Sequence, residues 1–200
     1  MSAPIDFWFD FSSPYGYLMA ERIDALAARH GREVRWRPFL LGAVFKHTGG
    51  QPLPAHPMKG PYSRHDLERS ARFLGVPLKL PESFAVSSHQ ACRVYYWLES
   101  RDPKLARDFA LAVYRAFFAE GRDITSVDML ADIGESLGLA RDAVAGATAD
   151  DAVKNHLREV CEQAIAGNVF GSPFVVIDGE PFWGADRLPQ IERWLETGGF

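Results

Sequence analysis

The run Ile5-Asp6-Phe7-Trp8-Phe9-Asp10-Phe11-Ser12-Ser13-Pro14-Tyr15 passes from a strand to a helix through a turn of two or three residues. Ile5, Phe7, Phe9 and Phe11 share one face at period two, and Asp6, Trp8 and Asp10 share the other. Ser13 suits a helix N-cap. Pro14 suits the first helical position, where its fixed φ is already helical and no backbone N–H is needed. The alanine-rich amphipathic segment that follows is expected to form one helix to about His30, with Gly31 as its stop.

A helix start carries unpaired N–H groups and the positive end of the helix dipole, so an anion beside Ser13 is favoured. A cysteine at such a place becomes a low-pKa nucleophile. This turn holds serines and no cysteine. A serine hydroxyl carries no redox chemistry, and without a neighbouring base it is a poor nucleophile. It can donate a hydrogen bond to the thiolate of another molecule, or it can simply cap the helix.

Two hundred residues allow one large or two modest domains with a substantial core. A formal net charge of −4, with no long basic run, argues against nucleic acid as the main partner. Cys92 and Cys161 lie far apart in helical-looking segments, which suggests buried thiols and gives neither a zinc pattern nor a redox pair; no metal is expected. No basic flank with an apolar core opens the chain, and no apolar run approaches a membrane span, so a cytoplasmic protein with no membrane partner is expected.

Glu33 to Leu40 reads as a second strand, parallel to the first, and Pro38 places it at an edge or near its end. Leu41 to Pro61, with Gly49-Gly50 and Pro52, Pro54, Pro57 and Pro61, reads as a long loop carrying Lys46, His47, His56 and Lys59. From Tyr62 to Gly167 the periodicity is helical, with segments expected at Asp66–Leu74, from Ser87 or Ser88 to Ser100, Pro103–Gly121, Val127–Leu137, Ala140–Ala145 and Ala149–Ala166. The aromatic residues of this stretch suit core packing, and some could line a pocket. Phe170-Gly171-Ser172-Pro173-Phe174 then leads into Val175-Val176-Ile177, an Asp178-Gly179 hairpin turn, Glu180-Pro181-Phe182-Trp183, and a last helix from about Arg187 to Leu195 with Asp186 as its N-cap.

The order βαβ, helical excursion, ββα resembles a thioredoxin-like domain with a helical insertion, as in the DsbA-like proteins. The fold class expected is therefore α/β, a thioredoxin-like βαβ…ββα domain interrupted by a large all-α insertion. Residues 1–45 and 166–200 would form the glutathione-binding domain, and 46–165 the insertion with the substrate pocket. Within that group the chain resembles the 2-hydroxychromene-2-carboxylate isomerases, relatives of the kappa-class glutathione transferases. The matching residues are Phe9-Asp10-Phe11 with Ser13-Pro14-Tyr15, Lys59-Gly60 ahead of Tyr62 and Asp66, Phe170-Gly171-Ser172-Pro173, and Trp183-Gly184-Ala185-Asp186-Arg187. The chain departs at Gly49-Gly50, where Gly-Asn is common, and at Ser12, where an apolar residue is usual.

The resemblance implies that Pro173 is cis and that Ser13 replaces the redox cysteine as the catalytic residue, hydrogen-bonding the sulfur of glutathione. It implies that Ser172 pairs its backbone with the tripeptide. Asp186, with Trp183, Gly184, Ala185 and Arg187 around it, would receive the γ-glutamyl ammonium. Lys59 would meet a glutathione carboxylate, and Lys46 the carboxylate of a small aromatic keto acid. The activity implied is glutathione-dependent interconversion of 2-hydroxychromene-2-carboxylate and trans-o-hydroxybenzylidenepyruvate, in a homodimer. A kappa-like transferase or peroxidase would use the same thiolate, and a non-catalytic DsbA-like binding module is the reading from a different class. A thiol-disulfide oxidoreductase lacks its cysteine.

Overall fold

The structure, a computed structural model, describes residues 3–200. Strand β1 (Ile5–Phe9) is followed by helices α1 (Pro14–Ala20) and α2 (Ile23–Arg29) and strand β2 (Val34–Pro38). Helices α3 (Leu41–Thr48), α4 (Lys59–Leu74), α5 (His89–Glu99), α6 (Pro103–Arg115), α7 (Val127–Ser136), α8 (Arg141–Ala149) and α9 (Asp151–Ala166) come next. The chain returns through β3 (Phe174–Ile177), β4 (Glu180–Trp183) and α10 (Leu188–Thr197). The sheet order is β2-β1-β3-β4, with β1 parallel to β2 and the other two pairings antiparallel. The α/β layout expected from the sequence is the one observed. No strand lies between Pro38 and Phe174 among the described residues.

β1 is central because both its faces can be buried. Phe7 and Phe9 meet Trp36 edge-on, with ring centroids 5.1 and 5.3 Å apart, and Phe11 packs on Tyr114 at 5.3 Å. On the opposite face Trp8 is covered by the Arg37 guanidinium at 4.1 Å. β2 is an edge strand, as Pro38 indicates, and the insertion closes that edge: the Tyr95 and Tyr96 hydroxyls donate to the Trp36 and Pro38 carbonyls. One continuous apolar core therefore runs from the sheet into the helices.

Four local expectations need correction. The helix expected from Pro14 to His30 is broken after Ala20, where Glu21 pairs with Arg115 and the Arg22 guanidinium donates to the Leu74 carbonyl. Two ties to the insertion win over helix propensity. The stretch from Leu41 is a helix, not a loop; Leu41, Val44 and Phe45 have helical spacing, and Gly49 in the left-handed region ends it. Lys46 thus stands on a helix, and Lys59 opens α4, which begins about two turns earlier than expected. Asp186 does not cap the last helix: it lies inside a short 3-10 turn, Ala185–Arg187, and accepts a hydrogen bond from Arg187 at 2.6 Å.

Candidate active site

Ser13 has the extended backbone of an N-cap, and its Oγ accepts the Gly16 N–H at 3.0 Å. The same hydroxyl donates to the Ser172 carbonyl at 2.8 Å. Its proton can leave that carbonyl for another acceptor by rotation about Cβ–Oγ, with no heavy atom moving. Gly16 permits this approach, because a Cβ there would stand 2.5 Å from the Tyr114 hydroxyl and 3.0 Å from Ser172 Oγ.

The Ser172–Pro173 peptide is cis. Ser172 Oγ accepts from the Asp10 N–H at 3.0 Å, and the Pro173 carbonyl accepts from the Gly184 N–H at 3.1 Å. The segment Trp183–Arg187 is thereby docked beside Ser13. Gly184 has φ 111°, a conformation open to glycine, and a Cβ there would collide with Asp186.

A cavity of about 1110 Å³ opens over this turn. One wall consists of Ser13, Ser172 and the Trp183–Arg187 segment. The rest of the lining is mainly apolar, built by Leu41 and Phe45 from α3, Phe73 and Leu74 from α4, and Phe84 and Val86 from the loop before α5, with Thr48, Gln51, Ser63, Asp66 and Ser70 among its polar members. Of the sequence-predicted site residues, Ser13, Ser172, Trp183, Gly184, Ala185, Asp186 and Arg187 converge on this cavity. Lys46 and Lys59 do not line it; both are exposed, Lys46 one residue past the inward-facing Phe45 and Lys59 at the first position of α4. Asp186 and Arg187 are ion-paired with each other at 2.6 Å.

Two further residues shape the site. Tyr15, one wall residue on from Pro14, donates to Asp66 at 2.7 Å, and burial with that carboxylate pushes the phenol pKa up. Asp66 also accepts from Arg69. Tyr15 therefore stays neutral and structural at ordinary pH. Asp10 is only 3 % exposed and accepts from Ser12 N at 2.8 Å, Leu41 N at 2.7 Å and Ser88 Oγ at 2.7 Å. Burial raises its pKa against the opposing pull of these donors. The Ser88 hydroxyl, which sits where a cap for α5 was expected, is spent on Asp10 and makes no cap bond. Sequence reading placed Asp10 merely on the far face of the strand; an acidic residue closing a buried strand immediately before a serine-capped helix was the available signal. Both cysteines are free and buried, and burial raises each thiol pKa, so neither supplies a thiolate.

A four-stranded sheet with a helical insertion, a cis-proline against a capped helix start and a cavity above it define a thioredoxin-type site. The chain belongs to the DsbA-like thioredoxin-domain family, whose model matches residues 4–196. It is 33% identical over 198 residues to a 2-hydroxychromene-2-carboxylate isomerase of Sphingobium xenophagum, covering 98% of this chain and 99% of that protein. It is 31% identical to glutathione S-transferase kappa 2 of Caenorhabditis elegans, covering 96% of this chain and 91% of that protein. Among solved structures, a 2-hydroxychromene-2-carboxylate isomerase superposes with a TM-score of 0.86 at 29% identity, covering 97% of this chain and 95% of that one. These relatives are enzymes of isomerase and glutathione-transferase type.

Proposed function

We propose that the chain is a glutathione-dependent isomerase of aromatic ring-cleavage keto acids, acting on 2-hydroxychromene-2-carboxylate or a close analogue. The observation that carries this reading is the Ser13 hydroxyl, set at the helix start and facing the cavity where a redox cysteine would otherwise stand. The donor set suits glutathione: a hydroxyl for sulfur, the Asp186 carboxylate for an ammonium, and the Arg187 guanidinium for a carboxylate, all on one wall. When bound, glutathione supplies a thiolate that adds reversibly to a conjugated system.

Ser13 turns its proton from the Ser172 carbonyl to the sulfur and so favours the ionised thiol. The Ser172 main chain pairs with the tripeptide as an added strand. Asp186 and Arg187 exchange their mutual ion pair for the ligand's charges, and the apolar wall excludes water from the reacting carbons. Lys59 and Lys46 reach ligand carboxylates from the rim, as point charges.

A second reading, a kappa-like transferase, gains from one feature: the cavity lining is mainly apolar and includes no lysine, which suits an uncharged electrophile. Turnover of the chromene acid against that of a halogenated nitroaromatic, at one glutathione concentration, separates the two. The isomerase reading expects chromene-acid turnover to dominate; conjugation alone would replace it by the transferase reading. A homodimer, which the resemblance implies, belongs to the proposal, and sedimentation velocity tests it against a monomer of 22.3 kDa. No helix among the described residues is long and apolar enough to cross a membrane.

A further inference from the structure

Asp10 gathers bonds from several parts of the molecule that build or flank the cavity. Its carboxyl oxygens accept from Ser12 in the thiol-binding turn, from Leu41 at the start of α3 and from Ser88 at the start of α5. Its main-chain N–H donates to Ser172 Oγ, and its carbonyl accepts from Ser13 N at 2.8 Å and Tyr114 OH at 2.9 Å. The side chains around the carboxyl are Ser12, Ser88, Tyr114, Cys92 and Cys161, and its hydrogen-bond partners include no cation. A buried carboxylate held only by neutral donors is costly, so its retention at the back of the cavity calls for a role.

We propose that Asp10 is a positioning residue for thiol activation: it locks the Ser12–Ser13 turn, the Ser172 segment and the apolar wall into one register, so that the Ser13 hydroxyl is aimed at the sulfur. The proposal rests on the glutathione reading above. The three carboxyl bonds join elements far apart in sequence, and two of them anchor the entry to the opposite wall, at Leu41 and Ser88. Loss of any one lets the turn shift relative to the wall. A shift of a few tenths of an ångström at Ser13 is enough to weaken a charge-assisted hydrogen bond.

The test uses the full chain and glutathione, with affinity read by calorimetry and thiolate read by ultraviolet absorbance against pH. Asp10→Asn keeps the shape but offers a donor where an acceptor is required. It is expected to bind glutathione within about threefold of wild type, while the midpoint for thiol ionisation rises by about one pH unit, a roughly tenfold loss of thiolate below the midpoint. If Asp10 acted only through its charge, removing it would lower that midpoint, since a like charge opposes thiolate formation. Ser88→Ala and Leu41→Pro keep the charge and remove one donor each; proline is tolerated at the first position of a helix, after a residue that is already extended. Both are expected to raise the midpoint by a smaller amount. A folded Asp10→Asn protein with an unchanged or lowered midpoint overturns the proposal, and so does an unchanged midpoint in both donor variants, which decide the matter if Asp10→Asn does not fold. Failure of wild type itself to bind glutathione would instead remove the functional reading and this proposal with it.

Discussion

Ser13 shows how one atom changes the chemistry available to a turn. Its Oγ holds the position of a nucleophile, accepts the Gly16 N–H and gives its proton to Ser172. A Ser13→Cys variant places a thiol at the same helix start, where its pKa is lowered. With oxidised glutathione it is expected to form a mixed disulfide, releasing one equivalent of reduced glutathione, and mass spectrometry reads the adduct. An unmodified protein after prolonged incubation would mean that the tripeptide's sulfur does not come to residue 13. Asp10 yields a prediction of its own. Its folded pKa is raised above the ordinary 3.8, so the native state holds the proton more tightly than the unfolded chain does. Its contribution to stability is therefore largest at low pH and declines as pH climbs from about the unfolded value through the raised folded one. Urea unfolding of wild type and Asp10→Asn should show the wild-type advantage shrinking across that window; an advantage that grows with pH contradicts the assigned direction. Ser13 was legible because cap chemistry is local. The role of Asp10 was not, because its partners Leu41 and Ser88 are distant in sequence and meet it only after folding.

At the scale of elements, α1 is set by contact more than by propensity. Gly16 lies against Tyr114, so Gly16→Ala overpacks the junction and should cost about 1–3 kcal/mol in urea unfolding. Tyr114→Phe removes the nearest atom, at the loss of its bond to the Asp10 carbonyl. The double variant is expected to be more stable than the sum of the single costs implies; strict additivity would show that the two do not touch. The same principle explains which elements could be read in advance. β1, the Asp178-Gly179 hairpin turn with both residues at positive φ, and the helices from α5 to α9 follow from period and punctuation. α3 escaped because Gly42, Gly49 and the prolines beyond look like loop, whereas its packing is decided by Val44 and the bond from Leu41 N to Asp10. The break after Ala20 has no local signal either. It is produced by Arg115 and the α4 carboxyl end, reached through Glu21 and Arg22.

Over the whole molecule, the turns at the strand ends supply one part of the cavity lining and the helical stretch supplies most of the rest. The order of the parts was readable from the texture of the chain, from aromatic strand to proline-rich entry, helical run and Gly-Ser-Pro return. The cavity was not, since its apolar wall draws on α3, α4 and the loop before α5, whose relative placement depends on tertiary packing. That placement also explains why Lys46 and Lys59, both implied by the resemblance, stand outside the lining while the Trp183–Arg187 segment stands within it. The proposed function requires that this cavity bind glutathione and ionise its thiol through Ser13. The most direct measurement is a calorimetric glutathione titration of wild type and Ser13→Ala, with thiolate absorbance followed against pH. The expected result is binding by both proteins, with a thiol pKa in wild type below the free value of about 8.5 and a return toward that value in the variant. Absence of binding at millimolar glutathione, or a thiol pKa that is the same in both proteins, would contradict it.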